Sequence, residues 1–337
     1  MLTFLIRRLI SAVAMLVIVS MVTFGIFFLL PKAAGQTPDQ QAAAYAGKAP
    51  TPQAIADIKE RLGLDDPIAV QYGRYVKGIV AGREFSNGPS VMECPAPCLG
   101  YSFRNSEPVL PTLLDRAPVT ISLAVGASVI WLVLGVGIGV LSALRRGSVF
   151  DRVAMMTALA GVSLPIYFTG LVSLAVFAYG LKLWPNGVAY SSFLGNPLDW
   201  AYNLVLPWVT LAFLHAALYA RLTRAGMLET LNEDYIRTAR AKGLPEKTVI
   251  TKHALRASLT PILTVFGLDL GLLLGGAVLT ERTFGLPGLG ALSIDSILSG
   301  DLPMVMGVVL LATVFIVVAS FMVDLLYMVV DPRVRVE

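Results

Sequence analysis

Apolar residues in this chain gather into six runs long enough to cross a bilayer: Leu9–Leu30, Val119–Leu144, Val153–Leu181, Leu204–Ala220, Pro261–Thr280 and Pro303–Val330. A helix rises about 1.5 Å per residue, so roughly 20 residues cross the hydrocarbon core. The pattern predicts an all-α membrane protein of six spans. The first run has 22 residues, longer than the roughly 7–15 of a signal-peptide core, and is read as a retained span. Three parts follow: residues 1–30 as first span, 31–118 as a long loop, and 119–337 as a five-helix core.

Polar stretches between the runs set the orientation. Arg7 and Arg8 precede the first span, and Arg145, Arg146 and Arg152 lie between spans two and three. Eight Lys and Arg lie between Arg221 and Arg256, and Arg333 and Arg335 end the chain. The short loops on the other side hold Lys182 and Arg282. The positive-inside rule therefore puts both termini and the 221–260 loop on the cytoplasmic side of a multi-pass membrane protein. Composition agrees: 56% of residues are hydrophobic and 14% charged, against about 25% charged in soluble domains.

The 31–118 loop is read as partly folded. Thr51 and Pro52 predict a helix start and Gly63 its stop; a second helix covers Ile68–Val80 and ends at Gly82. The remainder reads as turns. Cys94 and Cys98 flank Pro-Ala-Pro. The pair is compatible with a local disulfide, with free thiols or with part of a metal site.

Within the spans, Gly135, Gly137 and Gly139 suit close helix packing better than a nucleotide loop, since no strand precedes them. Gly267, Gly271 and Gly275 form a second small-residue stripe. Asp269, two residues from Gly267, points away from that stripe. An acid at mid-span is a candidate for the translocation path, with a buried hydrogen bond as the alternative. Asp324, nearer a span end, reads as structural, and His215 as packed. Pro165 is expected to kink span three, with Ser163 satisfying freed backbone groups. Glu281 and Arg282 are read as opening a short outer loop from Phe284 to Gly290, available as a gate or a partner contact.

The long island Asn232–Pro261 has acid early (Glu233, Asp234), base late (Arg240, Lys242), then Gly243-Leu244-Pro245. These are the signals of two helices joined by a tight turn. Contact with anionic lipid headgroups is one reading; a helix that docks into a soluble partner is the other. Missing chemistry sharpens it. The sequence holds neither G-x-x-x-x-G-K-[ST] nor H-E-x-x-H, so neither a phosphate loop nor that zinc motif is present.

Asp234-Tyr-Ile-Arg-Thr-Ala-Arg-Ala-Lys-Gly-Leu244 resembles the EAA loop of ABC-importer permeases in the dipeptide, oligopeptide and nickel branch. Gly276–Gly290, Gly300-Asp-Leu-Pro303, the closing Asp331-Pro-Arg-Val-Arg335 and the opening Phe4–Leu9 carry the same resemblance, to the B-type subunit. It implies the six-helix type I importer fold and a heterodimer with a second permease. It also implies two ATPase subunits that hold ATP and Mg, an external peptide-binding protein, and a bacterial cytoplasmic membrane. Arg237, Ala239, Ala241, Lys242, Gly243, Leu244 and Pro245 would then meet the ATPase. Arg237 stands where the general motif has Glu, and Thr260-Pro261 replaces its Leu-Pro. The family's outer Gly-Asp-Leu-Gly-x-Ser stretch is divided here between Gly82–Phe85 and Gly100-Tyr101-Ser102. Nickel or another small solute remains an alternative cargo. An ion-gradient transporter is the rival from another class, though no inverted repeat is visible.

Overall fold

A computed structural model describes residues 2–46, 51–87, 90–102, 104–184 and 187–330. The Asp331–Arg335 segment, with Arg333 and Arg335, lies outside the described residues. Two compact units partition the chain, Met1–Pro118 with Gly288–Phe315, and Val119–Pro287 with Ile316–Glu337.

In the first unit, α1 (Ile6–Ala33) is followed by three short helices, α2 (Pro38–Ala46), α3 (Pro52–Leu62) and α4 (Ile68–Ala81). Thr51 caps α3 by accepting from Ala54 N at 3.2 Å, and Gly63 ends it at φ 63°. These are the signals read from the sequence. Phe24 and Phe28 on α1 bury against Tyr45, Ile58 and Leu64, and Ser20 Oγ lies 2.9 Å from the Tyr72 hydroxyl. The supposed turns then resolve into an antiparallel hairpin, β1 (Arg83–Asn87) with β2 (Ser90–Cys94), in the register Arg83↔Cys94. A second short pair joins β3 (Tyr101–Ser102) to β4 (Glu107–Pro108).

Helix α5 (Val109–Leu144) begins ten residues before the expected Val119, with Pro118 inside it. Val109, Leu113 and Ala117 recur at helical spacing and bury against Leu289, Met304 and Val308, which holds the extension in helical form. Leu289 belongs to α12 (Leu289–Ser299), and Met304 and Val308 to α13 (Leu302–Val330). Between them, buried Asp301 accepts from Ser102 Oγ and, at 3.3 Å, from Met304 N.

In the second unit, span three is broken. Helices α6 (Val149–Ser163) and α7 (Ile166–Gly180) meet at 105° around Leu164-Pro165. Ser163 Oγ donates to Leu159 O at 2.8 Å within α6, so it bonds its own helix and does not bridge the break. Helix α8 (Pro197–Thr230) outruns the expected Leu204–Ala220 at both ends. Its start is capped by Asn196, which accepts from Leu198 N and Asp199 N. After α9 (Asp234–Ala241), α10 (Glu246–Leu274) runs unbroken through Pro261. Pro261 therefore does not start a separate span. Thr280 lies in a further helix, α11 (Val278–Phe284). Among the described residues, five helices are long and apolar enough to cross a membrane, six if the bent pair counts as one span.

Close packing in this unit centres on α8. A Cβ on Gly126 would strike Trp208; on Gly135, Tyr219; on Gly139, Thr223 Cβ at 2.5 Å and Ala220 O at 2.7 Å; on Gly161, Ala217. Gly137 faces nothing within 4 Å, so three of the four α5 glycines are packing positions. Gly267 and Gly271 serve α10 in the same way, against Val323 and Ile316 of α13. Gly139→Val is expected to force α5 off α8 at a cost of roughly 1–3 kcal/mol. Gly137→Ala, in open space, should be neutral or gain up to about 1 kcal/mol. Thermal unfolding of the detergent-purified protein checks both, and equal melting temperatures for the two variants would refute the packing account.

Candidate functional site

The polar island forms around α9. Asp234 stands in its first turn and Arg240 in its last, matching the helix dipole. Gly243, at φ 75°, turns the chain; its N–H donates to Arg240 O at 2.9 Å, and Leu244 N to Ala239 O at 3.3 Å. This is a left-handed helix stop. Pro245 then leads into α10, and Arg240 pairs with Glu246 at 2.7 Å. That pair is exposed, and Glu246 holds the Arg240 guanidinium above its ordinary value.

One face of α9 is buried and the other is open. Ile236 is fully buried and Ala239 7% exposed, seated on Ala143, Met227, Val249 and Ala254. Arg237 is exposed and 3.5 Å from Asp234. Ala241, Lys242, Gly243, Leu244 and Pro245 are all exposed, and a Cβ on Gly243 would meet nothing within 4 Å. Of the seven residues read as the coupling set, Ala239 belongs to the seat, and the other six are available to a partner. Tyr235 on the same helix is 45% exposed.

The seat is tied down by a cluster that the sequence reading missed. Asp151, 4% exposed, accepts from Arg224 Nε at 2.6 Å and Nη2 at 2.8 Å, from Gly147 N at 2.9 Å, and from Ser142 Oγ. Arg224 was counted as a loop charge. Its neighbours Thr223 and Met227, both fully buried, mark it as an inward residue of α8.

Asp269 lies on α10 opposite the Gly267 and Gly271 face and accepts from the Tyr219 hydroxyl of α8 at 2.9 Å. Beside Tyr219, Trp131 stacks on His215 at 4.5 Å, and His215 Nδ1 is 3.0 Å from Leu211 O. His215 is thus held in packing.

The segment read as an outer loop differs from expectation. Glu281, Arg282 and Phe284 lie in helix α11, stopped by Gly285 at φ 67°. Glu281 is fully buried, accepting from Thr120 Oγ1 at 2.8 Å, and Phe284 is 5% exposed. Both side chains therefore point into the unit instead of lying on an outer loop. Arg282 is exposed.

In the first unit, Cys94 and Cys98 are bonded, with Cα atoms 5.5 Å apart, and bury with Phe85 and Tyr101. Beside them is a cleft of about 480 Å³ lined by Arg74, Lys77, Arg83, Glu84 and Glu93. Burial pushes the Arg83 guanidinium below its ordinary value; it donates to Arg61 O and lies 4.8 Å from the Phe85 ring centre. Among the described residues, no group of three or more His, Cys, Asp or Glu is placed to hold a metal.

Comparison with known proteins joins these features. The profile of the family described as binding-protein-dependent transport system inner membrane component matches residues 135–336, and that of its N-terminal region matches residues 1–124. A putative peptide transport system permease protein of Brucella abortus is 38% identical over 333 residues, 99% of each chain. Dipeptide transport system permease proteins of Alkalihalophilus pseudofirmus and Escherichia coli are 36% and 34% identical, each over 99% of this chain and 100% and 99% of their own. Among solved structures, a chain of the inward-facing MetNI methionine ABC transporter aligns with TM-score 0.51. It is 20% identical and covers 66% of this chain and 97% of its own, a likeness of fold. The chain belongs to the family of inner membrane components of binding-protein-dependent ABC transport systems.

Proposed function

We propose that this subunit carries di- or oligopeptides through the membrane, receiving them from an external binding protein and drawing energy from two ATPase subunits. The peptide assignment rests on relatives whose names state peptide or dipeptide transport across nearly their whole length. A second, homologous permease completes the path, and both termini lie in the cytoplasm with the α9 tip. ATP and Mg sit on the ATPases, since this sequence has no phosphate loop.

One observation carries the energy-coupling role: an exposed five-residue tip, Ala241–Pro245, on a helix whose opposite face is buried. A loop held only by lipid headgroups has no need of a fully buried Ile236. In this reading Lys242, Leu244 and Pro245 enter the ATPase groove with Ala241 and Gly243, and Arg237 flanks it. Nucleotide binding draws the two permeases' tips together and moves the seat beneath them. Asp269 faces the peptide path, its carboxylate available to a peptide amino group when Tyr219 turns aside. Arg282, exposed on its helix together with Leu279, meets the binding protein.

Two measurements check the reading. Gly243→Val meets open space, so its effect must come through the left-handed backbone, about 1–2 kcal/mol of strain. Peptide moved per ATP hydrolysed in proteoliposomes should fall while the helices stay inserted; an unchanged ratio would reject the tip as the coupling point. For Asp269→Asn, uptake should fall about tenfold, the loss of a contact worth ~1.4 kcal/mol. Wild-type uptake at normal complex assembly would end the pathway role.

A further inference from the structure

The end of α8 meets two other elements within a few residues, one polar contact and one apolar. Arg224 makes a two-toothed ion pair with Asp151 at the start of α6. Three residues on, Met227 forms the floor on which α9 sits, with Ile236 and Ala239 above it. The end of α5 repeats the arrangement: Ser142 donates to Asp151, and its neighbour Ala143 joins the same apolar floor. The same two helix ends therefore hold α9 on one side and α6 on the other.

Asp151 is firmly fixed. Four hydrogen bonds reach its two oxygens, from Ser142, Gly147 and twice from Arg224. Its own N–H donates to Ser148 Oγ at 3.1 Å, capping α6, and Arg152 Nη2 donates to Gly147 O at 3.3 Å. Gly147, at φ 78°, gives the turn that aims its N–H at the carboxylate. A forked guanidinium on a carboxylate fixes orientation as well as distance, which a single hydrogen bond does not. Asp151 is buried and Arg224 partly so, which lessens the screening of the attraction by solvent. The α8 end also packs closely on α10, with Gly226 against Ser258, where a Cβ would come within 3.3 Å.

We propose that Asp151 and Arg224 are positioning residues for energy coupling: a brace that makes a tilt of α9 move α6 together with α8, instead of being absorbed at the loop. This rests on the reading of α9 as the ATPase contact. Without the brace, α9 keeps its apolar floor and its partner surface, but α6 is joined to that floor through its chain connection and packing alone.

The test compares Asp151→Asn, Arg224→Gln and the exchanged pair Asp151→Arg with Arg224→Asp, in the complex with its ATPases in proteoliposomes. Peptide moved per ATP hydrolysed is read at equal amounts of assembled complex. Each single change should lower the ratio about tenfold, and the exchange should recover a large part of it. Ser142→Ala, which removes one hydrogen bond and leaves the ion pair, should lower it about twofold and covers the case in which the charge variants do not assemble. Wild-type ratios in both single variants would overturn the brace, as would a wild-type ratio in Ser142→Ala when neither single variant assembles. Gly243→Val separates the two ideas. If it keeps the wild-type ratio while Arg224→Gln loses it, the tip assignment fails and the brace stands; if it alone loses the ratio, the tip stands and the brace fails.

Discussion

Close approach to α8 is the constraint from which the second unit follows. In lipid there is no hydrophobic gain from pressing one apolar helix on another, so association depends on contact area and satisfied polar groups. Gly126, Gly135 and Gly139 of α5 and Gly161 of α6 remove the side chains that would hold those helices off. What enters the space is large: Trp208 against Gly126, Tyr219 against Gly135. Tyr219 is then placed to donate to Asp269, and Trp131, fully buried, to stack on His215. The Trp131–His215 stack between α5 and α8 is thus a consequence of the glycine spacing, while the Tyr219–Asp269 bond joins α8 to α10, where hydroxyl and carboxylate satisfy each other in a medium that cannot solvate them.

That spacing also explains which parts were legible in the sequence. Apolar runs marked every span, and the caps Thr51, Gly63 and Gly243 were readable because helix ends depend on local backbone chemistry. Helix extents were not. Pro118 and Pro261 look like boundaries, yet α5 and α10 pass through both, since packing on either side outweighs one lost hydrogen bond. The β1–β2 hairpin was taken for turns, because each strand is only five residues long and shows no clear alternation of apolar and polar positions.

Within the candidate site, the tip was legible and its support was not. Gly243 and Pro245 announce a turn from their own conformational limits, whereas the role of Arg224 exists only because Asp151, 73 residues away, comes within 2.6 Å. Glu281 shows the same limit in reverse. Next to Arg282, with a Gly- and Pro-rich stretch following, it reads as surface; tertiary contact with Thr120 takes it fully inside. Charge in a sequence reports what must be satisfied and leaves the manner open: solvent, partner or buried donor.

Two acids of the second unit show how that choice divides labour. Asp151 is met by a guanidinium and further donors, so its charge is neutralised within the fold and its geometry fixed. Asp269 is met by a hydroxyl, which can hold a carboxylate in place without cancelling its charge. A mid-span acid kept that way is costly to leave uncompensated. The first acid suits transmission, where rigidity between α6 and α8 is useful and any exchange of partner would be slack. The second would suit the encounter proposed for it, since an arriving cationic group competes with a neutral donor instead of an arginine. Under the proposed function, a chain stiff near its energy input and yielding along its path has reason to treat its two carboxylates so differently.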